Sequence, residues 1–286
     1  MSTEQIKREL DAAKKHYELD FLEDCESKLS PDLQNKFTKD YGLGKVELPA
    51  LTVANVAKVE AMIRADSKYA PSDEYDNSEY LPYWMRELGR HLGCIKDGKP
   101  VEKFGEVVEN VVQKLNKENS TFLNFDKGNG ETAVDVMVRR ITEKVNQKKL
   151  VDELRDRTLG ELITHLAKPT ELKGKRHISF ASKFCHYACF YIFEGKDEQD
   201  NFSIYDSVVA KVLPYYLEYW KIKDVDQKKL KFKDKNFEDY REYCKAIDKI
   251  IKKSRSQISR NGFDHLLWYY FKDKGKKSKK PRKEVR

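Results

Sequence analysis

An amine and a carboxylate, each set in an apolar segment, are the residues of this chain whose chemistry stands out. Lys183 lies within residues 178–193, which are mostly apolar or aromatic. Asp206 follows within a second apolar run, residues 202–209. Burying an ammonium or a carboxylate costs free energy unless the group is paired or its pKa shifts. Two such groups in two apolar segments therefore predict a shared site.

Each residue also has a plain structural interpretation. A lysine at the edge of an apolar helix commonly extends its ammonium group to water. Asp206 directly precedes residues 207–213, whose pattern is helical, and it would make a good N-cap there. It is the combination of Lys183 and Asp206 that favours catalysis over these structural roles.

The two segments resemble the catalytic core of the helix-hairpin-helix DNA glycosylases, and within them the 8-oxoguanine-glycosylase-like branch. The resemblance rests on Ser182-Lys183 near the start of a buried helix, on residues 204–209 (IYDSVV) and on residues 264–268 (DHLLW). It spans roughly residues 155–270. In that family a lysine at the junction of hairpin and helix is the nucleophile, and an aspartate that caps a following helix is the catalytic carboxylate. The resemblance implies these two roles for Lys183 and Asp206.

The hairpin of this chain departs from the family pattern. The family's hairpin is rich in glycine and contacts a DNA phosphate through backbone N–H groups, whereas residues 174–179 contain one glycine. We expect Lys175, Arg176 and the helix N-terminus to meet the phosphate instead. The polar residues 194–201 lengthen the interval between the lysine and the aspartate.

A glycosylase must also hold a flipped base in a pocket of aromatic and polar side chains. Tyr83 and Trp84 are the candidates for stacking on that base, although a core position is the more ordinary place for a tryptophan. His177 and His186 flank Lys183 in the sequence and are candidates for a supporting role. His186 is the better of the two because it lies three residues from Lys183 on the same predicted helix.

The positive charge of the chain is concentrated at its C-terminal end. The net charge is +8, and residues 272–286 hold nine Lys/Arg and two Asp/Glu, so the remaining residues carry only about +1. We expect this tail to be disordered and to bind a polyanion. A second basic cluster, on an element that we expect to be folded, comprises Lys252, Lys253, Arg255 and Arg260. The expected partner is double-stranded DNA, bound by a monomer.

The composition argues against several other classes of protein. No run of residues approaches the roughly 20 apolar residues of a membrane span, and the N-terminus has no apolar signal region. The five cysteines form no disulfide framework, and nothing after Cys244 could complete the four-cysteine iron–sulfur cluster that some glycosylases carry. The sequence therefore predicts a protein of the bacterial cytosol or nucleoid, without membrane contact, metal or cofactor.

Helical periodicity dominates the chain and predicts an all-α fold. Apolar residues recur at helical spacing in four stretches, residues 51–63, 104–115, 134–145 and 237–251. We expect two helical lobes with a central cleft, as in the helix-hairpin-helix glycosylases. The predicted divisions are a charged helical extension (1–44), a first helical lobe (45–155), a catalytic lobe (156–271) and a basic tail (272–286).

The sequence predicts a DNA N-glycosylase that excises a damaged or modified base, and it leaves open whether strand cleavage by β-elimination follows. The resemblance points to an oxidised guanine and to base-excision repair. The unusual first lobe would equally suit a modified pyrimidine, such as the altered cytosines of phage DNA, with a role in defence. The alternatives are a non-catalytic DNA-binding protein of the same fold, against which the joint presence of Lys183 and Asp206 argues, and a helical adaptor, against which the basic tail argues.

Overall fold

Helices make up most of the part of the chain that the structure describes. The computed structural model describes residues 19–65, 77–101, 103–119, 123, 131–146, 148–156, 161–168, 177–231, 237–272 and 274. Its helices are α1 (Cys25–Lys28), α2 (Pro31–Tyr41), α3 (Val53–Ala65), α4 (Leu81–His91), α5 (Phe104–Asn119), α6 (Ala133–Asn146), α7 (Leu150–Arg155), α8 (Glu161–Ala167), α9 (Ile178–Ile192), α10 (Ser207–Tyr219), α11 (Phe237–Ser254) and α12 (Arg260–Phe271). Short 3-10 turns cover Asp197–Asp200 and Lys229–Lys231. Phe21 forms an isolated antiparallel bridge with Pro49, and no strand runs through these residues, which confirms the all-α class.

The helices form two compact units, and neither unit is continuous in sequence. The terminal unit comprises Met1–Ala70, Ser207–Val225 and Lys245–Arg286, and the central unit comprises Pro71–Asp206 and Asp226–Cys244. The predicted lobes, 45–155 and 156–271, were continuous, because patterns along a sequence do not reveal contacts between distant segments. The glycosylase-like arrangement of the lobes stays a prediction.

Helix α9 is the hub of the central unit. It packs against α4, α5, α7 and α8, and it buries Phe180, Phe184 and Ala188 completely. Its approach to α4 requires a glycine, because a Cβ atom at Gly89 would lie 3.2 Å from Cγ1 of Ile192 and 2.7 Å from Cδ1 of Ile95. An apolar helix enclosed in this way gives a rigid mount for any side chain that reaches its surface.

The stripe predicted for α5 is confirmed by burial. The residues at helical spacing that have no exposed surface are Val107, Val108, Val111, Val112 and Leu115. Their spacing of three and four residues places them on one face, which packs against α4 and α6. Removal of this apolar surface from water is the main stabilising contribution that α5 makes to the central unit.

The terminal unit is built around α12, which packs against α3 and α10. The helix begins with a side-chain cap, since the Ser259 hydroxyl accepts a hydrogen bond of 3.0 Å from the backbone N–H of Gly262. In the core of the unit, the buried hydroxyl of Tyr216 donates a hydrogen bond of 2.7 Å to the carbonyl oxygen of Pro49. Over the described residues of both units, no helix combines the length and the apolar composition needed to cross a membrane.

Candidate active site

Lys183 projects from the first half of α9 at the edge of the core. Its neighbours Ser182 and Phe184 are fully buried, whereas Lys183 itself is half-buried. One and two turns further along the helix, Tyr187 and Tyr191 are also half-buried, and their rings stack at a centroid distance of 6.2 Å. The lysine therefore lies at the N-terminal end of a partly exposed stripe that continues with two aromatic residues. The sequence did not single out these two tyrosines, because the residues around them are apolar or aromatic as well.

The segment that leads to Asp206 is held against α9 by two side chains of that helix. The Ser182 hydroxyl accepts a hydrogen bond of 3.0 Å from the backbone N–H of Tyr205. One turn along, Nδ1 of the buried His186 lies 2.8 Å from the carbonyl oxygen of Phe202, a contact in which Nδ1–H donates. The residue before Lys183 is thus bonded to the residue before Asp206.

The same segment is held on its other side by tyrosines of α11. The Tyr240 hydroxyl donates to the carbonyl oxygen of Ser203 at 2.8 Å and accepts from the Ser203 N–H at 3.1 Å. The Tyr243 hydroxyl donates to the carbonyl oxygen of Ile204 at 2.9 Å. Backbone outside a helix has no regular internal partners, so these side chains supply the hydrogen bonds that residues 202–205 require in the interior.

These contacts bring together the two segments that sequence reasoning singled out. Asp206 is half-buried, lies outside the helical residues and immediately precedes α10, in the position that the sequence predicted for it. The serine, histidine and tyrosines that align its segment with α9 were not all foreseen. Of the four, only His186 was named as a supporting residue, and the structure gives it a contact with the backbone of the segment.

The surroundings of the segment shift the pKa of Tyr205. Burial raises the pKa of its phenol to about 12, and the charges of Asp206 and Asp239 add to the increase. Asp239 is a buried carboxylate on α11. The phenol therefore stays neutral at physiological pH beside two acidic residues, and a neutral phenol can donate a hydrogen bond.

The two residues predicted to stack on a flipped base differ in exposure, and of them only Trp84 is buried. Trp84 is 8% exposed, and its indole N–H donates a hydrogen bond of 2.7 Å to the carbonyl oxygen of Ser78. The half-buried Tyr83 packs edge-on against its ring. His177, just before α9, is buried, and its backbone N–H bonds to the carbonyl oxygen of Ala167. We therefore correct the interpretation of Trp84, which is a packing residue of α4.

The predicted DNA-binding residues fall into three groups. Lys252, Lys253 and Arg255 are exposed, as phosphate contacts must be. Arg260 is not: it is 6% exposed, and its guanidinium forms a two-pronged pair with Asp248, at 2.8 and 2.6 Å. The prediction for Arg260 is therefore corrected to a structural role at the start of α12.

Two further predicted phosphate contacts, Lys175 and Arg176, lie outside the described residues, as does the basic tail after Lys274. The described part of the chain holds no group of three or more His, Cys, Asp or Glu side chains that could bind a metal ion. The chain matches no family model, no curated protein and no solved structure.

Proposed function

We propose that this protein is a DNA glycosylase that excises a damaged or modified base, with Lys183 as the amine nucleophile and Asp206 as the catalytic carboxylate. The observation that carries the proposal is the hydrogen bond between Tyr205 N–H and the Ser182 hydroxyl, 3.0 Å long. It fixes the segment that leads to the carboxylate against the helix that carries the amine. Both charged residues are half-buried, a setting that combines partial desolvation with access for a substrate.

The chemistry begins with the target base rotated out of the duplex. As the bond between C1′ of the deoxyribose and the base breaks, positive charge develops on the sugar, and the carboxylate of Asp206 stabilises it. The base leaves with the bonding electrons and takes up a proton. The amine of Lys183, after losing its own proton to solvent, forms a new bond to C1′.

Ring opening of this adduct gives an imine between Lys183 and the sugar, and β-elimination from the imine would cleave the strand. If water attacks C1′ instead, Asp206 accepts its proton and the product is a plain abasic site. The two routes differ in whether a covalent protein–DNA intermediate exists, and this difference gives the test.

The resemblance to the 8-oxoguanine-glycosylase-like branch and the exposed cations at the C-terminal end of α11 and just after it support DNA as the substrate class. The phosphate backbone attracts cations whatever the base sequence, so Lys252, Lys253 and Arg255 would position the duplex rather than select the base. We propose an oxidised guanine or a modified cytosine as the excised base, in repair or in defence against phage DNA.

The decisive experiment is a screen of duplexes that carry different modified bases, with alkali to reveal abasic sites and borohydride to trap imines. Wild-type protein should release one class of base, and borohydride should give a covalent adduct. Lys183→Ala should abolish that adduct, whereas Lys117→Ala, which removes an exposed lysine of α5, should leave it unchanged. Asp206→Asn should reduce base release to a small residual rate but bind the duplex normally, since asparagine caps a helix about as well as aspartate.

Each result has a defined consequence for the proposal. An adduct of undiminished yield from Lys183→Ala would remove the nucleophile assignment. Base release without trapping would leave a glycosylase that uses Asp206 and water. Binding of duplex DNA without release of any base would favour the alternative, a non-catalytic DNA-binding protein.

A further inference from the structure

The two tyrosine hydroxyls of α11 account for three backbone hydrogen bonds of a segment that contains no helix. Tyr240 bonds to both polar groups of Ser203, and Tyr243 bonds to the carbonyl oxygen of Ile204. Both phenols are buried, with exposures of 3% and 0%. A buried backbone group without a partner is costly, so these hydroxyls define the path of the chain two and three residues before Asp206.

The α9 side chains define the same path from the opposite side. Ser182 bonds to the N–H of Tyr205, and His186 bonds to the carbonyl oxygen of Phe202. Residues 202–205 are therefore anchored at four consecutive positions, by side chains of α9 and of the N-terminal part of α11, which belong to the central unit. The segment ends at Asp206, where α10 begins at the next residue. An anchored backbone leaves a side chain only its own rotatable bonds, which is how a carboxylate is held ready before a substrate arrives.

We propose that the hydroxyls of Tyr240 and Tyr243 are positioning groups for the carboxylate of Asp206. The inference rests on the proposed glycosylase function and deepens it. The two hydroxyls touch backbone, not substrate, so they act on the reaction only through the placement of Asp206. Their removal should slow base excision and leave the affinity for duplex DNA unchanged, because the carboxylate is needed in the transition state more than in the ground state.

The spacing of the tyrosines explains why they work as a pair. Positions 240 and 243 lie three residues apart on α11 and so occupy one face of the helix. Their rings lie at a centroid distance of 6.5 Å, and Tyr205 packs edge-on against Tyr243 at 5.6 Å. Replacement by phenylalanine keeps these ring contacts and removes only the hydroxyls, which isolates the hydrogen bonds from the packing.

The experiment measures the single-turnover rate of base excision and the Kd for duplex DNA in Tyr240→Phe and Tyr243→Phe. We expect the rate to fall between about 10- and 100-fold, as for a catalytic group displaced by a fraction of an ångström, with an unchanged Kd. The double variant Tyr243→Phe/Asp206→Asn should excise the base at the same rate as Asp206→Asn alone. A tyrosine that acts through the carboxylate has no effect once the carboxylate is gone.

Two control variants separate positioning from stability. Tyr216→Phe removes a buried hydroxyl that bonds to the backbone of Pro49 in the terminal unit, so it should lower the melting temperature and leave the excision rate unchanged. Ser203→Ala removes a buried hydroxyl from the anchored segment itself, one that bonds to no described residue, and should also leave the rate unchanged. All rates are compared at a temperature where circular dichroism shows every variant fully folded. If Tyr240→Phe does not fold, Tyr243→Phe, which loses one hydrogen bond rather than two, decides the question.

The outcomes distinguish this inference from the function on which it rests. Wild-type protein that releases no base from any duplex contradicts the proposed function and the inference with it. Wild-type activity together with an undiminished rate in Tyr243→Phe overturns the inference alone. Equal rate losses in Tyr243→Phe and Tyr216→Phe, or additive losses in the double variant, would also overturn it, because the effect would then be general stability.

Discussion

Two lysine–acid combinations of the central unit have contrasting settings. Nζ of Lys144, on α6, lies 2.6 Å from Oε1 of Glu153, on α7, and the two side chains are only 9% and 4% exposed. Lys183 and Asp206 are both half-buried, and a hydrogen bond joins the residues that precede them, Ser182 and Tyr205. The first combination is a closed ion pair, whereas both members of the second are partly exposed.

The difference shows what burial does to an ion pair. In a closed, buried pair each charge is balanced chiefly by its partner, so the pair joins two helices. Glu153 also lies near the back of α9, where its charge adds to the burial that raises the pKa of Cys185. Half-buried groups on an anchored backbone keep some contact with solvent, and partly exposed acids and bases are common in catalytic sites.

The strongest test of the difference between the two combinations is to replace each lysine in turn. Lys183→Met should abolish the borohydride adduct and lower the free energy of unfolding by less than about 1 kcal/mol, as for a partly exposed charge. Lys144→Met should do the reverse: it strands the buried carboxylate of Glu153 and should cost about 3–5 kcal/mol of stability. Urea denaturation measures the stabilities, and adduct yield per folded molecule measures the chemistry.

A double variant tests whether the closed pair has any role besides stability. Lys144→Met/Glu153→Leu removes both charges, so no carboxylate is stranded, and most of the lost stability should return. Excision by this variant should match wild type. A folded double variant that excises slowly would show that the two combinations are coupled, and the division between structure and chemistry would be wrong.

The pair of Lys144 and Glu153 also shows how much of the fold could be predicted from the sequence. In α6 the expected stripe was Val134, Val138, Ile141 and Val145, yet the structure buries Ala133, Val136, Met137, Ile141 and Lys144. The predicted stripe left out Lys144 because lysine is a charged residue. The predicted buried face of α6 is therefore rotated about the helix axis relative to the observed one. Its partner Glu153 lies on the next helix, and no periodicity within α6 can reveal a neutralising charge from another element.

The candidate site was predictable to a similar degree. Lys183 and Asp206 stood out as charges in apolar runs, and the resemblance added their roles. Tyr240 and Tyr243 did not stand out, because a tyrosine within an amphipathic helix reads as core and its hydroxyl partner lies more than thirty residues away. Arg260 was misjudged for the converse reason, since a cation within a basic cluster looks exposed until Asp248 is placed beside it.

A smaller effect should follow when cations outside the two combinations are removed. Deletion of residues 275–286 takes away seven Lys/Arg and one Glu, and it keeps Lys272 and Lys274, whose ammonium groups lie over aromatic rings of α12. Affinity for every duplex should fall about 10- to 100-fold at low salt, and its dependence on salt should become weaker.

The tail deletion should not change which base is preferred, because phosphate contacts position a duplex without identifying its bases. Fluorescence anisotropy across a salt series measures the affinity, and competition between modified duplexes measures the preference. A changed preference would mean that the tail reaches the base pocket, and the assignment of chemistry to Lys183 and Asp206 alone would need revision.

The smallest expected effect concerns the titration of Tyr205, the residue that precedes Asp206. Burial, then the charge of Asp206 and then that of Asp239, raise the pKa of Tyr205 from 10.0 to about 12. Asp206→Asn removes one negative charge and should lower the pKa of Tyr205, although burial keeps it above 10. Asp197→Asn, which neutralises an exposed carboxylate of the 3-10 turn, should not change it. NMR of protein labelled at tyrosine Cζ, with the Tyr205 signal assigned by Tyr205→Phe, follows the start of the titration.

The same shift has a consequence for stability, and its sign is fixed by linkage. Because folding raises the pKa of this acid, the neutral phenol is favoured in the folded protein, and the unfolded protein loses its proton first. The resulting stability is present in full below pH 10 and is lost as the pH rises towards about 12. Asp206→Asn lowers the folded-state pKa of Tyr205, so it should lower the pH at which the loss of this stability is complete. An unchanged Tyr205 titration in Asp206→Asn would show that the carboxylate does not act on the phenol, and the contrast with the closed pair would then rest on exposure alone.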